Sequence, residues 1–116
     1  VARIVKLIDK SIYNVIGGTH VILDKERVLE KTDFDAACIA EGEQSIVSLA
    51  KALEKGKKPT NIPNLWIKDP ISGTIEKNCS SPFNPDLDSL PHIERKAWDP
   101  WIASNPIKIQ HLLISA

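Results

Sequence analysis

The sequence has no methionine, two cysteines and a single tyrosine among its 116 residues. The missing initiator suggests that the start of a longer chain lies upstream of Val1. No charge of one sign dominates, since 15 basic residues face 15 acidic ones. Residues 1–58 hold ten Lys/Arg and nine Asp/Glu, and the rest hold five and six. Neither half carries the positive excess that drives binding to phosphate backbones, so a nucleic-acid partner is not expected. No run of 18 apolar residues exists, so no membrane span is expected. The N-terminus lacks the basic, apolar and small-residue regions of a signal peptide. Cys38 lies in an apolar run and reads as a buried free thiol, and Cys79 stands far from it. Together these features point to a cytoplasmic setting without a disulfide.

Hydrophobic residues make up 42% of the chain, enough for one modest core. The spacing of Ile4, Val5, Ile8 and Ile12 predicts a helix over 2–11. Tyr13-Asn14-Val15-Ile16 then runs into Gly17-Gly18, as a buried strand runs into a tight turn. A second helix is predicted over 24–31, with Val28 and Leu29 inward. Ala36-Ala37-Cys38-Ile39-Ala40 has no alternation and suits a strand covered on both faces. The clearest helix spans 43–55, with Ile46, Leu49, Ala50 and Leu53 as its apolar stripe. Glu43 at its start and Lys55-Gly56 at its end match dipole and C-cap preferences. Strands joined by helices imply parallel pairing, because such crossovers need a dozen or more residues. Two parallel strands alone make no stable sheet, so further strands or a second copy must cover the edge.

The character of the chain changes after Gly56, and all eight prolines lie from Pro59 onward. Leu65–Lys68 and Thr74–Lys77 flank a Gly-containing turn and predict a β-hairpin. Residues 80–106 read as loop, with one helical turn at 86–91. Residues 107–115 read as a strand. Trp66, Trp98 and Trp101 are expected to pin this linker to a partner domain.

Two turns stand out as candidate binding elements. Gly17-Gly18-Thr19-His20 sits at the carboxyl end of a predicted parallel strand, where ligands of open α/β sheets bind. Glycines there admit close backbone approach, and the following N–H groups can meet an anion. The plainer reading is a strand-to-helix turn that needs a positive φ. Glu41-Gly42-Glu43 occupies the same end of the next strand. Its carboxylates can accept hydrogen bonds from a ligand, or simply begin a helix. His20 lacks partners at metal-ligand spacing, so no metal site is expected. His92 and His111 read as structural. No nucleophile elbow is present, and no catalytic residue is assigned.

Val15-Ile16-Gly17-Gly18-Thr19-His20, Asp35 before a strand, and Glu41-Gly42-Glu43 opening a helix resemble the second half of the cobalamin-binding domain that precedes radical S-adenosylmethionine (radical SAM) barrels. Ile62-Pro63-Asn64-Leu65-Trp66 resembles that family's "I-P-G-L" approach to a hairpin. Asp86-Leu87-Asp88-Ser89-Leu90-Pro91 resembles its "D-L-D-S-L-P" linker. Ile109 to Ala116 resembles the strand leading into the barrel.

The resemblance implies an α/β fold: a partial Rossmann-like (flavodoxin-like) half-domain over 1–58, a β-hairpin extension over 59–79, and a proline-rich linker with the barrel's first strand over 80–116. It implies a parent radical SAM enzyme, such as a methyltransferase or cyclase. Cobalamin would be contacted by Gly17 and Gly18, and secondarily by the turn from Glu41 to Glu43. Thr19 and His20 complete the first turn. A [4Fe-4S] cluster and S-adenosylmethionine would be held elsewhere in the parent, since the C-x-x-x-C-x-x-C motif is not in this chain. The family's first three strands have no counterpart here, and neither does its D-x-H-x-x-G motif. The expected partners are those N-terminal strands, the barrel, and a second copy of the fragment. The alternative is a non-catalytic scaffold that keeps the fold without the cofactor.

Overall fold

The computed structural model describes residues 1–92 together with 94, 96, 100 and 104. The chain divides into two units, Val1–Phe83 and Asn84–Ala116. The predicted strand at 107–115, and with it His111, Trp98 and Trp101, lies outside the described residues.

The first unit is a small mixed α/β domain around one open sheet. Its elements run α1 (Ala2–Ile8), β1 (Val15–Ile16), α2 (Thr19–Leu23), α3 (Lys25–Lys31), β2 (Ala36–Cys38), α4 (Glu43–Glu54), β3 (Leu65–Lys68) and β4 (Ile75–Lys77). The strands lie in the order β1-β2-β3-β4. β1 and β2 are parallel and adjacent, with Val15 opposite Ala36 and Ile16 opposite Ala37. This is the pairing expected from the helical crossover between them. β3 then joins β2 antiparallel, with Cys38 opposite Leu65, and β4 closes the hairpin with Lys68 opposite Ile75. The topology is Rossmann-like in a generic sense, with an antiparallel hairpin extending one side.

Both faces of the sheet are covered. On one face Ala36, Cys38, Leu49, Ile62, Leu65 and Ile67 pack together, with Tyr13 and Val15 against them. On the other, Val21, Val28, Leu29, Ala37 and Ile39 cluster, with Ile16, Phe34, Trp66 and Ile75 at the margin. Successive strand side chains point to opposite faces, so Ala36 and Ala37 serve different layers. That explains why β2 reads as an unbroken apolar run.

Several details differ from the sequence expectation. The strands are shorter than expected, Val15–Ile16 against 13–16 and Ala36–Cys38 against 36–40. The first helix ends at Ile8 rather than residue 11, because Asp9 leaves helical geometry and its Oδ1 accepts from both the N–H and the hydroxyl of Ser11, each at 2.7 Å. Only Ala2 of α1 is buried, and Ile4, Leu7 and Ile8 are exposed. The second helical region begins earlier than predicted, as the single-turn α2 before Asp24 breaks the helix. Five residues give too little periodicity to read. Finally, α4 is rotated about its axis. Ser45 and Leu49 are the buried positions, whereas Ile46 and Leu53 are 44% and 38% exposed. Ser45 tolerates burial because its hydroxyl donates to the carbonyl of Pro63 at 2.9 Å.

Side-chain ties join the layers. Asp35 Oδ2 accepts from the Asn14 N–H and pairs with Lys6 Nζ, both at 2.7 Å, and so holds the start of β1 beside β2. Lys68 Nζ donates to the carbonyls of Leu29 and Thr32 at 2.9 and 2.8 Å, where a cation suits the end of α3. Trp66 belongs to this core rather than to a linker. Lys25 and Lys77 lie 5.8 and 5.0 Å from its ring centroid. At the hairpin tip Asp69 Oδ1 accepts from the N–H groups of Ile71 and Ser72, and Asp69 pairs with Lys58. Those contacts hold the Asp69 carboxyl far below its usual range, the Lys58 hydrogen bond first.

A cleft of about 410 Å³ lies at the amino end of β1 and β2, lined by Tyr13, Leu53, Pro59, Ile67, Pro70 and Ile71 among others. The Tyr13 hydroxyl is buried and has no hydrogen-bond partner among the described residues. Burial, then the charges of Asp35 and Glu76, push its pKa up to about 12. A free phenol ionises near pH ~10, so the folded state holds the neutral form more strongly. This contribution to stability is complete below pH ~10 and is lost as the pH rises toward 12. Tyr13 is the sole tyrosine, so phenolate absorbance reads it directly. We expect half-ionisation near pH 12, and a midpoint at the ordinary value would show the hydroxyl open to water.

In the second unit the expected helical turn is present as a 3-10 turn over Leu87–Ser89, with the Ser89 hydroxyl donating to the Asp86 carbonyl at 2.6 Å. Among the described residues no helix is long and apolar enough to cross a membrane.

Candidate functional site

Parallel pairing of β1 with β2 sends both strands toward the same rim. Gly17 follows β1 there, and Cys38 ends β2. The two glycine-containing turns meet around Cys38. A Cβ built on Gly17 would lie 3.5 Å from Cys38 Cβ, and one on Gly42 would lie 3.4 Å from Cys38 Sγ. The chain backbone therefore packs closely at this rim. Cys38 is buried, its thiol donates to the Ala40 carbonyl at 3.3 Å, and both cysteines are free thiols.

Gly18 is different in kind. It has φ 95 and ψ 179, and a Cβ placed on it meets nothing within 4 Å. The positive φ expected of the turn is thus present, and the space beside it is open as well. Gly18 also leads into α2, whose Val21 and Ile22 N–H groups donate to its carbonyl at 3.0 and 3.3 Å. Thr19 and His20 open α2 at the surface, while Val21 is fully buried beneath them.

The second turn is fixed from below. The Glu41 carbonyl accepts from Asn64 Nδ2 at 2.8 Å and from the Ser45 hydroxyl at 3.4 Å. Gly42 is the residue before α4, and its carbonyl accepts from the Ile46 N–H at 2.8 Å. Glu43 is exposed in the first turn of α4, where negative charge suits the helix dipole.

The seven residues singled out from sequence thus form two neighbouring turns on one rim. Chemically the rim offers close backbone, a threonine hydroxyl, an imidazole and two carboxylates. Among the described residues no group of three or more His, Cys, Asp or Glu is placed to hold a metal ion. Sequence reasoning missed Asn64 and Ser45 as supports of the second turn. One signal existed: Asn64 occupies the glycine position of the I-P-G-L pattern, and its φ is 64. Asn is one of the few side chains that enter that region readily.

Over 92 residues, 78% of this chain, the sequence is 30% identical to a Pyrococcus horikoshii protein named as an uncharacterized methyltransferase. The chain spans 20% of that protein's length, so the similarity is to a small part of it. No family model matches the chain, and no solved structure matches it.

Proposed function

We propose that this chain is the second half of a cobalamin-binding, flavodoxin-like domain in a radical SAM protein, and that the whole protein is a methyltransferase. The observation that carries this reading is the pair of turns, Gly17–His20 and Glu41–Glu43, set side by side at the carboxyl rim of a parallel strand pair. That is where ligands of open α/β sheets bind. The methyltransferase name of the similar Pyrococcus horikoshii protein supports the reaction class. In this reading residues 1–58 belong to the cofactor domain, 59–79 form its hairpin extension, and 80–116 lead toward a barrel.

The residues present fit part of such a cofactor. Gly18 leaves open the space that a Cβ would fill, so the cofactor's nucleotide tail can run along bare backbone there. Gly17 lines the same path. The Thr19 hydroxyl and His20 imidazole can hydrogen-bond polar groups of the tail. Glu41 and Glu43 can accept from its amide or hydroxyl groups. Bound cobalamin would supply alkyl-transfer chemistry, while a [4Fe-4S] cluster and S-adenosylmethionine would be held outside this chain. No residue here is assigned a catalytic role.

The missing strands have a natural place in this proposal. α1 leads directly into β1, whose outer edge has no partner strand among the described residues. Preceding parallel strands would cover that edge and the exposed Ile4, Leu7 and Ile8. Without them the chain should self-associate, because a bare edge is a template for pairing. Light scattering on residues 1–116 should therefore report more than a monomer.

A scaffold without cofactor is the second reading, since both rim turns also serve simply as the starts of α2 and α4. Titrating the full-length protein with hydroxocobalamin and following visible absorbance separates the two. Saturable spectral change supports the cofactor reading, and its absence supports the scaffold. Residues 1–116 alone should neither turn over substrate nor bind cobalamin tightly, since most of the pocket's strands would be lacking. Micromolar affinity of the isolated chain, measured by calorimetry, would contradict that.

A further inference from the structure

Asn64 immediately precedes β3 and is 3% exposed, with φ 64. A glycine would adopt this backbone more easily, so the side chain must account for the asparagine. Both polar atoms of its amide are hydrogen-bonded. Nδ2 donates to the Glu41 carbonyl and to the Ser81 hydroxyl, both at 2.8 Å, and Oδ1 accepts from the Ser81 N–H at 2.7 Å. The backbone adds two more bonds. The Asn64 N–H donates to the Cys79 carbonyl at 3.1 Å, and its carbonyl accepts from the Ile39 N–H at 2.8 Å.

One buried residue thus touches three separate pieces of chain: the continuation of β2, the turn at Glu41, and the segment 79–81 that follows β4. The Ser45 hydroxyl braces the same place, since it reaches both the Glu41 and the Pro63 carbonyl. The segment 79–81 runs toward the end of this unit at Phe83. Movement of the rim turn therefore cannot occur without strain on the exit segment, unless the Asn64 amide lets go of one of them. Buried amides seldom do so, because an unpaired polar group there is unfavourable.

We infer that Asn64 is a positioning residue that couples the Glu41–Glu43 turn to the exit segment 79–81, so that a ligand on the rim is felt where the chain leaves this unit. The ligand half of this inference rests on the cobalamin reading above, and the coupling half does not. Asn64→Gly removes the side-chain bonds and keeps a residue at ease with the backbone conformation. Asn64→Asp keeps an acceptor for the Ser81 N–H and loses the donor to Glu41.

Hydrogen–deuterium exchange on the full-length protein tests both halves. Without ligand, Asn64→Gly should speed exchange about tenfold at Ser81, whose N–H donates to Asn64 Oδ1, and at Ile46, whose N–H donates to the Gly42 carbonyl of the rim turn, the scale of one or two lost hydrogen bonds. Asn64→Asp should loosen Ile46 more than Ser81. Hydroxocobalamin should slow exchange at Ser81 in the wild type and no longer do so in Asn64→Gly. If Asn64→Gly loosens Ser81 alone and leaves both Ile46 and the cobalamin-induced protection as in the wild type, the coupling is overturned. A wild type that shows no spectral response to hydroxocobalamin refutes the cofactor reading instead, and the ligand-free exchange of the two segments still decides the role of Asn64.

Discussion

Leu65→Ala should destabilise the Val1–Phe83 unit by about 3 kcal/mol, within the range for a fully buried leucine. Leu65 is fully buried in β3, opposite Cys38 of β2, and packs in the cluster that includes Leu49 of α4. Its neighbours are Ala36, Cys38, Leu49, Ile62 and Ile67, and small residues such as Ala36 and Cys38 have little side chain with which to refill a cavity. A domain of this size has only about 4–12 kcal/mol in total, so the loss removes a large share of its stability. Urea unfolding followed by tryptophan fluorescence measures it. Ile71→Ala is the comparator, because Ile71 is 95% exposed at the hairpin tip. That change should stay within about 0.5 kcal/mol. Equal midpoints for the two variants would mean that the core does not centre on β3.

Gly18→Val should weaken cobalamin binding by the full-length protein about a hundredfold or more, equivalent to about 2.8 kcal/mol. Two effects act together. Valine at φ 95 is strained, at a cost of about 1–3 kcal/mol. Its branched side chain would also fill the open space beside the rim. Gly17→Ala separates the contributions, because its Cβ would meet Cys38 at an ordinary 3.5 Å and leave the Gly18 side clear. Gly17→Ala and Glu43→Ala should each bind nearly as the wild type does. The same hydroxocobalamin titration reads all three, with circular dichroism to check that each variant folds. Unchanged affinity in a folded Gly18→Val protein would remove the rim from the binding site.

Much of this arrangement was legible in the residues themselves. The unbroken run from Ala36 to Ala40 announced a strand covered on both faces, of which Ala36–Cys38 form β2, and the glycine pair after Ile16 announced a tight turn with positive φ. The crossover between them implied parallel pairing, and the structure has it. What could not be read was rotation and support. The stripe Ile46, Leu49, Ala50 and Leu53 is the most apolar face of α4, yet α4 turns Ser45 inward because the Pro63 carbonyl lies within its reach. That partner is 18 residues away in the chain, so no local pattern reveals it. The role of Asn64 was hidden for the same reason, since its partners Glu41 and Ser81 are 23 and 17 residues distant. Hydrophobic periodicity reports what a segment wants to bury, whereas long-range hydrogen bonds decide which face finally turns in.

The two borders of the sheet are unequal, and this limits what kind of aggregate the chain can build. β4 carries Glu76 and Lys77; Glu76 accepts from Thr60 and Asn61, and Lys77 is drawn toward Glu26 and the ring of Trp66. Charges at that border discourage strand addition. β1 has no such protection in its own two residues, Val15 and Ile16. Among the described residues, a sheet with β1 as its one receptive border can join a like sheet across a two-fold axis, and that border is then used up in both copies. Open-ended fibres need two receptive surfaces per particle. Overexpressed chain should therefore collect as closed dimers rather than grow into filaments.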